Sequence, residues 1–415
     1  MAAACPAPTV APAPTVAPAT AVVPAPTVVP ATAATPAAAA SCTPMAEPLT
    51  AQYGPEIPRQ IAAMIERAHP TFASRAFVAQ ALRGYETLGL LPRARQVARA
   101  LADHLPRDYP AALEVVLRSL GPPAAVTSGG GMAAFVYLPH VYWVAEHGLN
   151  HLDDSVRAMH AITQRFSFEF GIRPFVERHP REMLEVLSRW CDDPSPHVRR
   201  LVSEGLRPRL PWASRLRVFE RDPRPVIALL ERLRDDPDEV VRRSVANHLN
   251  DLGRADPALL VEVCARWASA APPARVRLIR HALRTLVARG DPHALTVLGF
   301  GARAKIALHG ASVSPARAPI GGAVRVSFEL ASTARRKQRV LVDLRVTYAG
   351  RRAGVERTKV FKLDAGELRP GGTMAFSKRL SLRQMSTRTH HPGAHRVEAL
   401  VNGEAFEVGV FEVVA

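Results

Sequence analysis

Three carboxylates stand beside arginines at spacings that a helix turns into a shared face. Arg200 and Glu204 are at i and i+4 with Arg207 one turn beyond, Arg243, Asn247 and Asp251 are at i, i+4 and i+8, and Glu169 and Arg173 are at i and i+4. Residues so spaced point the same way along an α-helix, so three neighbouring helices should each present a carboxylate with a guanidinium. Two chemistries are open to such a set. Solvated surface ion pairs would contribute about 0–1 kcal/mol each and nothing else. A cluster of carboxylates steadied by cations would instead hold preorganised negative charge against a ligand on which positive charge develops. Two features weigh toward the second. Glu169 lies within FSFEFGIRPF, where polar residues are sparse, and Glu204 and Asn247 occupy equivalent positions of two segments offset by 43 residues.

The tryptophans divide by context. Trp190 and Trp267 hold the same position near the ends of REMLEVLSRW and ALLVEVCARW and read as core. Trp212 lies in RPRLPWASR, between prolines and arginines after a helix end. An aromatic ring beside arginines on a basic surface suits contact with a nucleic-acid sugar or base. No metal constellation emerges from His390-His391 or from Cys5, Cys42, Cys191 and Cys264, which lack CxxC spacing. The same scatter excludes a disulfide framework and suits a reducing cytoplasm.

The elements that must carry these residues repeat. Helices are expected to open at His179-Pro180, Asp222-Pro223, Asp256-Pro257 and Asp291-Pro292, because Asp caps free amides and Pro tolerates the first helical turn. After the first three pairs one amphipathic pattern recurs, as REMLEVLSRW, RPVIALLERL and ALLVEVCARW. A second pattern, DDPSPHVRRLVSEGL and DDPDEVVRRSVANHL, follows the first two. Two helices per unit of roughly 40–47 residues is the HEAT period. The second helix of each unit carries the acid–arginine sets.

From about Ser312 the texture becomes period two. VRVSFELAS, VLVDLRVTYAG, TKVFKLD, MAFSKRLSL, HRVEALVNG and AFEVGVFEVV alternate between turn residues, as in a β-sandwich. The expected organisation is multidomain: a disordered Pro/Ala-rich tail over 1–47, an all-α HEAT-like repeat solenoid over 48–303, and an all-β immunoglobulin-like sandwich over 312–415. The tail repeats PAPTV at Pro6, Pro12 and Pro24, and Met45 reads like a natural start. The chain carries 54 Lys+Arg against 37 Asp+Glu, net +17, which favours a polyanionic partner. Residues 301–415 hold 20 basic and 9 acidic residues, so the sandwich is expected to contact DNA, with the turn from Arg388 to Arg396 reaching toward a groove. No apolar run reaches membrane-span length, and with Arg59 as the first arginine no basic secretory n-region precedes it.

TQRFSFEFGIRPFVERHP, DDPSPHVRRLVSEGLRPRLPWA and VRRSVANHLNDLGRADP resemble the AlkC branch of the AlkC/AlkD-type DNA alkylation repair glycosylases. STRTHHPGAHRVEALVNGEAF resembles the immunoglobulin-like domain that one subset of this branch carries. The resemblance implies hydrolysis of the N-glycosidic bond of cationic lesions, 3-methyladenine and 3-methylcytosine, without full base extrusion. It implies Glu169, Glu204 and Asp251 as catalytic carboxylates and Trp212 as the ring against the DNA. Arg173, Arg200, Arg207, Arg242, Arg243 and Asn247 are expected to hold the strand. A cytoplasmic monomer without cofactor, acting on alkylated double-stranded DNA, is the expectation. HEAT arrays more often serve as scaffolds, so a non-catalytic DNA- or protein-binding scaffold is the alternative.

Overall fold

Proline and aspartate open the helices, though not by one mechanism. Asp256 and Asp291 each accept the amide N–H three residues on, from Leu259 and Ala294, ahead of helices that start at Pro257 and Pro292. Asp222 accepts the Arg224 N–H instead, and that helix starts one residue later than expected. The His179 ring caps nothing; its Nε2 lies 2.8 Å from the Leu149 carbonyl.

The computed structural model describes residues 49–124, 131–301, 303–352, 354–385 and 388–415. The expectation made for the 1–47 tail falls outside them. The helices run α1 (Glu56–Ala68), α2 (Ser74–Ala81), α3 (Leu90–His104), α4 (Tyr109–Ser119), α5 (Leu138–His147), α6 (Leu152–Thr163), α7 (Ile172–Arg178), α8 (Pro180–Trp190) and α9 (Pro196–Glu204). They continue as α10 (Val218–Arg221), α11 (Arg224–Leu233), α12 (Glu239–Leu252), α13 (Pro257–Ala268), α14 (Pro273–Ala282), α15 (Arg284–Ala288) and α16 (Pro292–Val297). In α8 the buried residues are Met183, Val186, Leu187 and Trp190, an i, i+3, i+4, i+7 stripe. Burying a side chain of this size contributes about 1.5–3 kcal/mol, and such a stripe fixes which face turns inward. The second helices stack across units: α6 on α9, α9 on α12, α12 on α14. This HEAT-like layer carries the candidate site side chains Arg200, Glu204, Arg243, Asn247 and Asp251.

The sandwich begins earlier than its sequence announces. Strand β1 (Ile306–Ser314) starts six residues before Ser312, and the short β2 (Arg317–Pro319) was not expected at all. β1 is an edge strand with mostly exposed positions and a register break between His309 and Ser312, so it lacks clean alternation. The six expected strands are β3 (Ala323–Ser332), β4 (Gln338–Ala349), β5 (Glu356–Leu368), β6 (Thr373–Ser381), β7 (Gly393–Val401) and β8 (Glu404–Val414). They form sheets ordered β1-β3-β6 and β2-β8-β7-β4-β5 around a core including Leu330, Val342, Leu344 and Phe411. Pro48–Ala415 forms one compact unit. Asn402 Nδ2 donates to the Phe300 carbonyl across the junction, and Gly290 meets Gly403 so closely that a Cβ on Gly290 would lie 2.9 Å from the Gly403 Cα.

Candidate active site

The segment expected to continue helically through Glu169 and Arg173 does not. Helix α6 ends at Thr163 and α7 starts at Ile172. Phe166, Phe168 and Phe170 recur with period two, not 3.6, and that spacing is the signal that should have ended the helix. Phe168 is fully buried, and its amide donates to Thr163 Oγ1. Glu169 is thereby placed on the link, where its carboxylate accepts Ser167 Oγ at 2.8 Å and Arg200 Nη1 at 3.1 Å.

Glu204 closes α9. Its Oε1 accepts Arg207 Nη1 at 2.6 Å and lies 3.7 Å from Arg200, and its Oε2 accepts Ser244 Oγ, from the next repeat, at 2.5 Å. Arg207 Nε donates to Asp251 at 2.9 Å. The five groups form one alternating chain, Glu169–Arg200–Glu204–Arg207–Asp251, in which carboxylates outnumber guanidiniums by one. Burial works to raise the Glu204 pKa, but Arg200, Arg207 and the Ser244 hydroxyl outweigh it and hold the group below the usual carboxylate range. Asp251 is pushed the other way, because burial outweighs Arg207. Glu204 is therefore a buried, permanent anion at neutral pH.

A cleft of about 530 Å³ opens between the α6–α7 link, α9 and the loop after α9. Phe135, Phe166, Glu169, Glu204, Arg207 and Trp212 are among its walls. Trp212 is 55% exposed with φ +66°, in the left-handed region that non-glycine residues rarely occupy. Gly205 is required where α9 ends: a Cβ there would lie 2.7 Å from Ile172 Cγ2. Trp190 and Trp267 are core, as read from the repeat.

Other expected residues fall elsewhere. Asp251 is 3% exposed and lies behind Arg207, away from the cleft walls. Arg173 is 2% exposed and donates to three backbone carbonyls, so it faces no strand. Arg242 bonds the carbonyls of Asp236 and Pro237, as Arg199 bonds those of Asp193 and Pro194 one repeat earlier. The first arginine of each VRR pair thus ties down its own helix entry, and only the second, Arg200 or Arg243, is left for the layer's surface. Asn247 accepts from Arg284 and lies 2.9 Å from His281 Nε2. The Arg388–Arg396 turn does not reach outward as a unit, since His390 and His395 are buried against Tyr348.

Sequence reasoning passed over Ser167 and Ser244, and over the cations of α14. Arg243, Arg277 and His281 line a second cleft of about 330 Å³ one repeat along. Arg232, Arg266 and Arg275 are paired with carboxylates. Arg243, Arg277 and Arg280 have no carboxylate partner among the described residues. Burial, together with Arg284, Arg243 and Lys362, pulls His281 down to about 4. Among the described residues no group of three or more His, Cys, Asp or Glu is placed to hold a metal, and no helix is long and apolar enough to cross a membrane.

Residues 307–415 match the family described as the C-terminal Ig-like domain of the uncharacterised protein YhaZ. The chain is 33% identical over 362 residues to YhaZ of Bacillus subtilis strain 168, covering 87% of this chain and 98% of that one. It also matches the structure of the Pseudomonas fluorescens alkylpurine DNA glycosylase AlkC bound to DNA containing an abasic-site analog. That match has TM-score 0.83 and 34% identity, covering 89% of this chain and all of the other.

Proposed function

This chain belongs to the AlkC branch of the AlkC/AlkD-type HEAT-like-repeat DNA alkylation repair glycosylases, with a C-terminal immunoglobulin-like domain, and from that premise we propose that it excises cationic alkylated bases from double-stranded DNA. The observation that carries the reading is the odd carboxylate of the five-membered chain, held beside an exposed ring at an open cleft. A base alkylated at N3 is already a cation. When its bond to C1′ breaks, the electron pair stays with the base, which leaves neutral and needs no general acid. Positive charge then builds on the deoxyribose, as in glycoside hydrolysis. Glu204 supplies fixed negative charge to that sugar from a site where no solvent must reorganise. Glu169, the more exposed of the two, orients the water and takes its proton as oxygen bonds to C1′. Asp251 acts through Arg207, keeping that cation from swinging onto Glu204 alone. Trp212 packs on the sugar, so the lesion is reached without full extrusion.

The substrates are 3-methyladenine and 3-methylcytosine in duplex DNA. Incubation with methylated DNA, followed by chromatography of released bases, should yield one or both as free bases. DNA binding without any base release would make the protein a scaffold instead.

A further inference from the structure

We propose that Arg173 is a positioning residue whose buried guanidinium staples the 205–217 loop, so that Trp212 stands over the carboxylate cleft. Arg173 lies in the first turn of α7, yet its hydrogen-bond acceptors lie 32 to 41 residues away. Its Nη1 donates to the carbonyls of Gly205 at 3.2 Å and Arg207 at 2.9 Å, and its Nη2 donates to Ser214 at 2.6 Å. Two acceptors are at the loop entry and one is past the tryptophan. A single rigid fork therefore fixes both sides of the bend that carries Trp212, which a lysine's one ammonium cannot do.

The arrangement is costly enough to need a reason. No carboxylate lies within ion-pair distance of Arg173 among the described residues, Nε is buried without an acceptor, and burial pulls the guanidinium down to about 10. Unpaired buried cations are disfavoured. The loop it holds is disfavoured as well: Trp212 is in the left-handed region and the residue is 55% exposed. Such a conformation is strained for a non-glycine residue and persists only where surroundings enforce it. Leu206, Leu210 and Leu216 anchor the loop's flanks in the core, and the Leu216 amide donates to the Pro208 carbonyl. These contacts close the loop, but among the described residues only Arg173 hydrogen-bonds both to residues 205–207 and to Ser214.

The kinetic part of this inference rests on the glycosylase reading; the structural part does not. Trp143, Trp190 and Trp267 are 2%, 8% and 1% exposed against 55% for Trp212, so iodide quenching reports on Trp212. Arg173→Lys should change that quenching and slow single-turnover base release about ten- to hundredfold, the cost of a roughly 1 Å misplacement. In a Trp212→Ala background the same change should cost less than about twofold, because coupled residues are not additive. Arg173→Met is the companion variant; if it fails to fold, Arg173→Lys keeps the charge and most of the aliphatic stem while removing the fork. Wild-type quenching in Arg173→Lys, or its full kinetic loss repeated without Trp212, overturns the proposal. If the wild type releases no base, the functional reading fails, and quenching with affinity for abasic-site DNA decides this one by the same non-additivity.

Discussion

Replacing Glu204 by Gln removes one charge from the cleft while keeping shape and hydrogen bonding. The chain of three carboxylates and two guanidiniums then falls from a net −1 to neutral. For a sugar cation about 5 Å away at an effective dielectric of about 20, one unit charge is worth about 3 kcal/mol. That corresponds to a loss of roughly two to two and a half orders of magnitude in rate, within the range measured for lost electrostatic groups. Stability should suffer far less. Arg207 keeps Asp251, Arg200 keeps Glu169, and Ser244 can still donate to the amide oxygen. No buried cation is stranded, so the penalty stays below the ~3–5 kcal/mol of a broken buried pair. Affinity for abasic-site DNA should hold or rise, because an anion leaves a phosphate-binding surface. Single-turnover release of 3-methyladenine, measured beside DNA-binding isotherms on variants shown to be folded, is the assay. Near-normal release from both Glu204→Gln and Glu169→Gln would refute the electrostatic argument and leave the chain as structural ion pairs.

Arg277→Gln and Lys362→Gln, at exposed cations of α14 and β5, should weaken duplex binding and lower its log–log salt slope by about 0.9 each, with the saturated release rate unchanged; an unaltered slope removes these residues from the DNA track. Burial raises Asp343 to about 6, and its Oδ1 has no hydrogen-bond partner among the described residues. A raised folded-state pKa costs stability above that value and nothing below the unfolded value near 3.9, so Asp343→Asn should gain up to about 2–3 kcal/mol at pH 7.5 and none at pH 3.5, read by urea unfolding; a loss at pH 7.5 contradicts this. Burial holds fully buried His140 near 4 and His248 near 3. These depressed values contribute stability present above about 6.5 that is lost as pH falls toward 4, about 2 kcal/mol each between pH 6.5 and 5. The urea midpoint should fall over that interval, less steeply in His140→Phe, and a flat profile would show both rings protonated in the fold.

What the sequence determined by itself was everything set by local rules. Asp-Pro starts, 3.6-residue stripes and period-two strands each act within a few residues, so the helical array, the repeat and six strands of the sandwich were legible. Strand β1 was not, because an exposed edge with a register break leaves no alternation to read. That Glu169, Glu204 and Trp212 belong together was legible too, since all three border one candidate cleft. Its pairing was not. An i, i+4 rule joined Glu169 to Arg173, but a turn separates them from a common helix. Glu169 instead meets Arg200, 31 residues on, and Arg173 meets the backbone of the Trp212 loop. Arg242 and Arg243 are neighbours of one type, yet one ties a helix entry and the other remains exposed. Which partner a charged side chain takes depends on how far each helix is shifted and rotated against the next. That is fixed by core packing between repeats, summed over many side chains, and no local spacing encodes it.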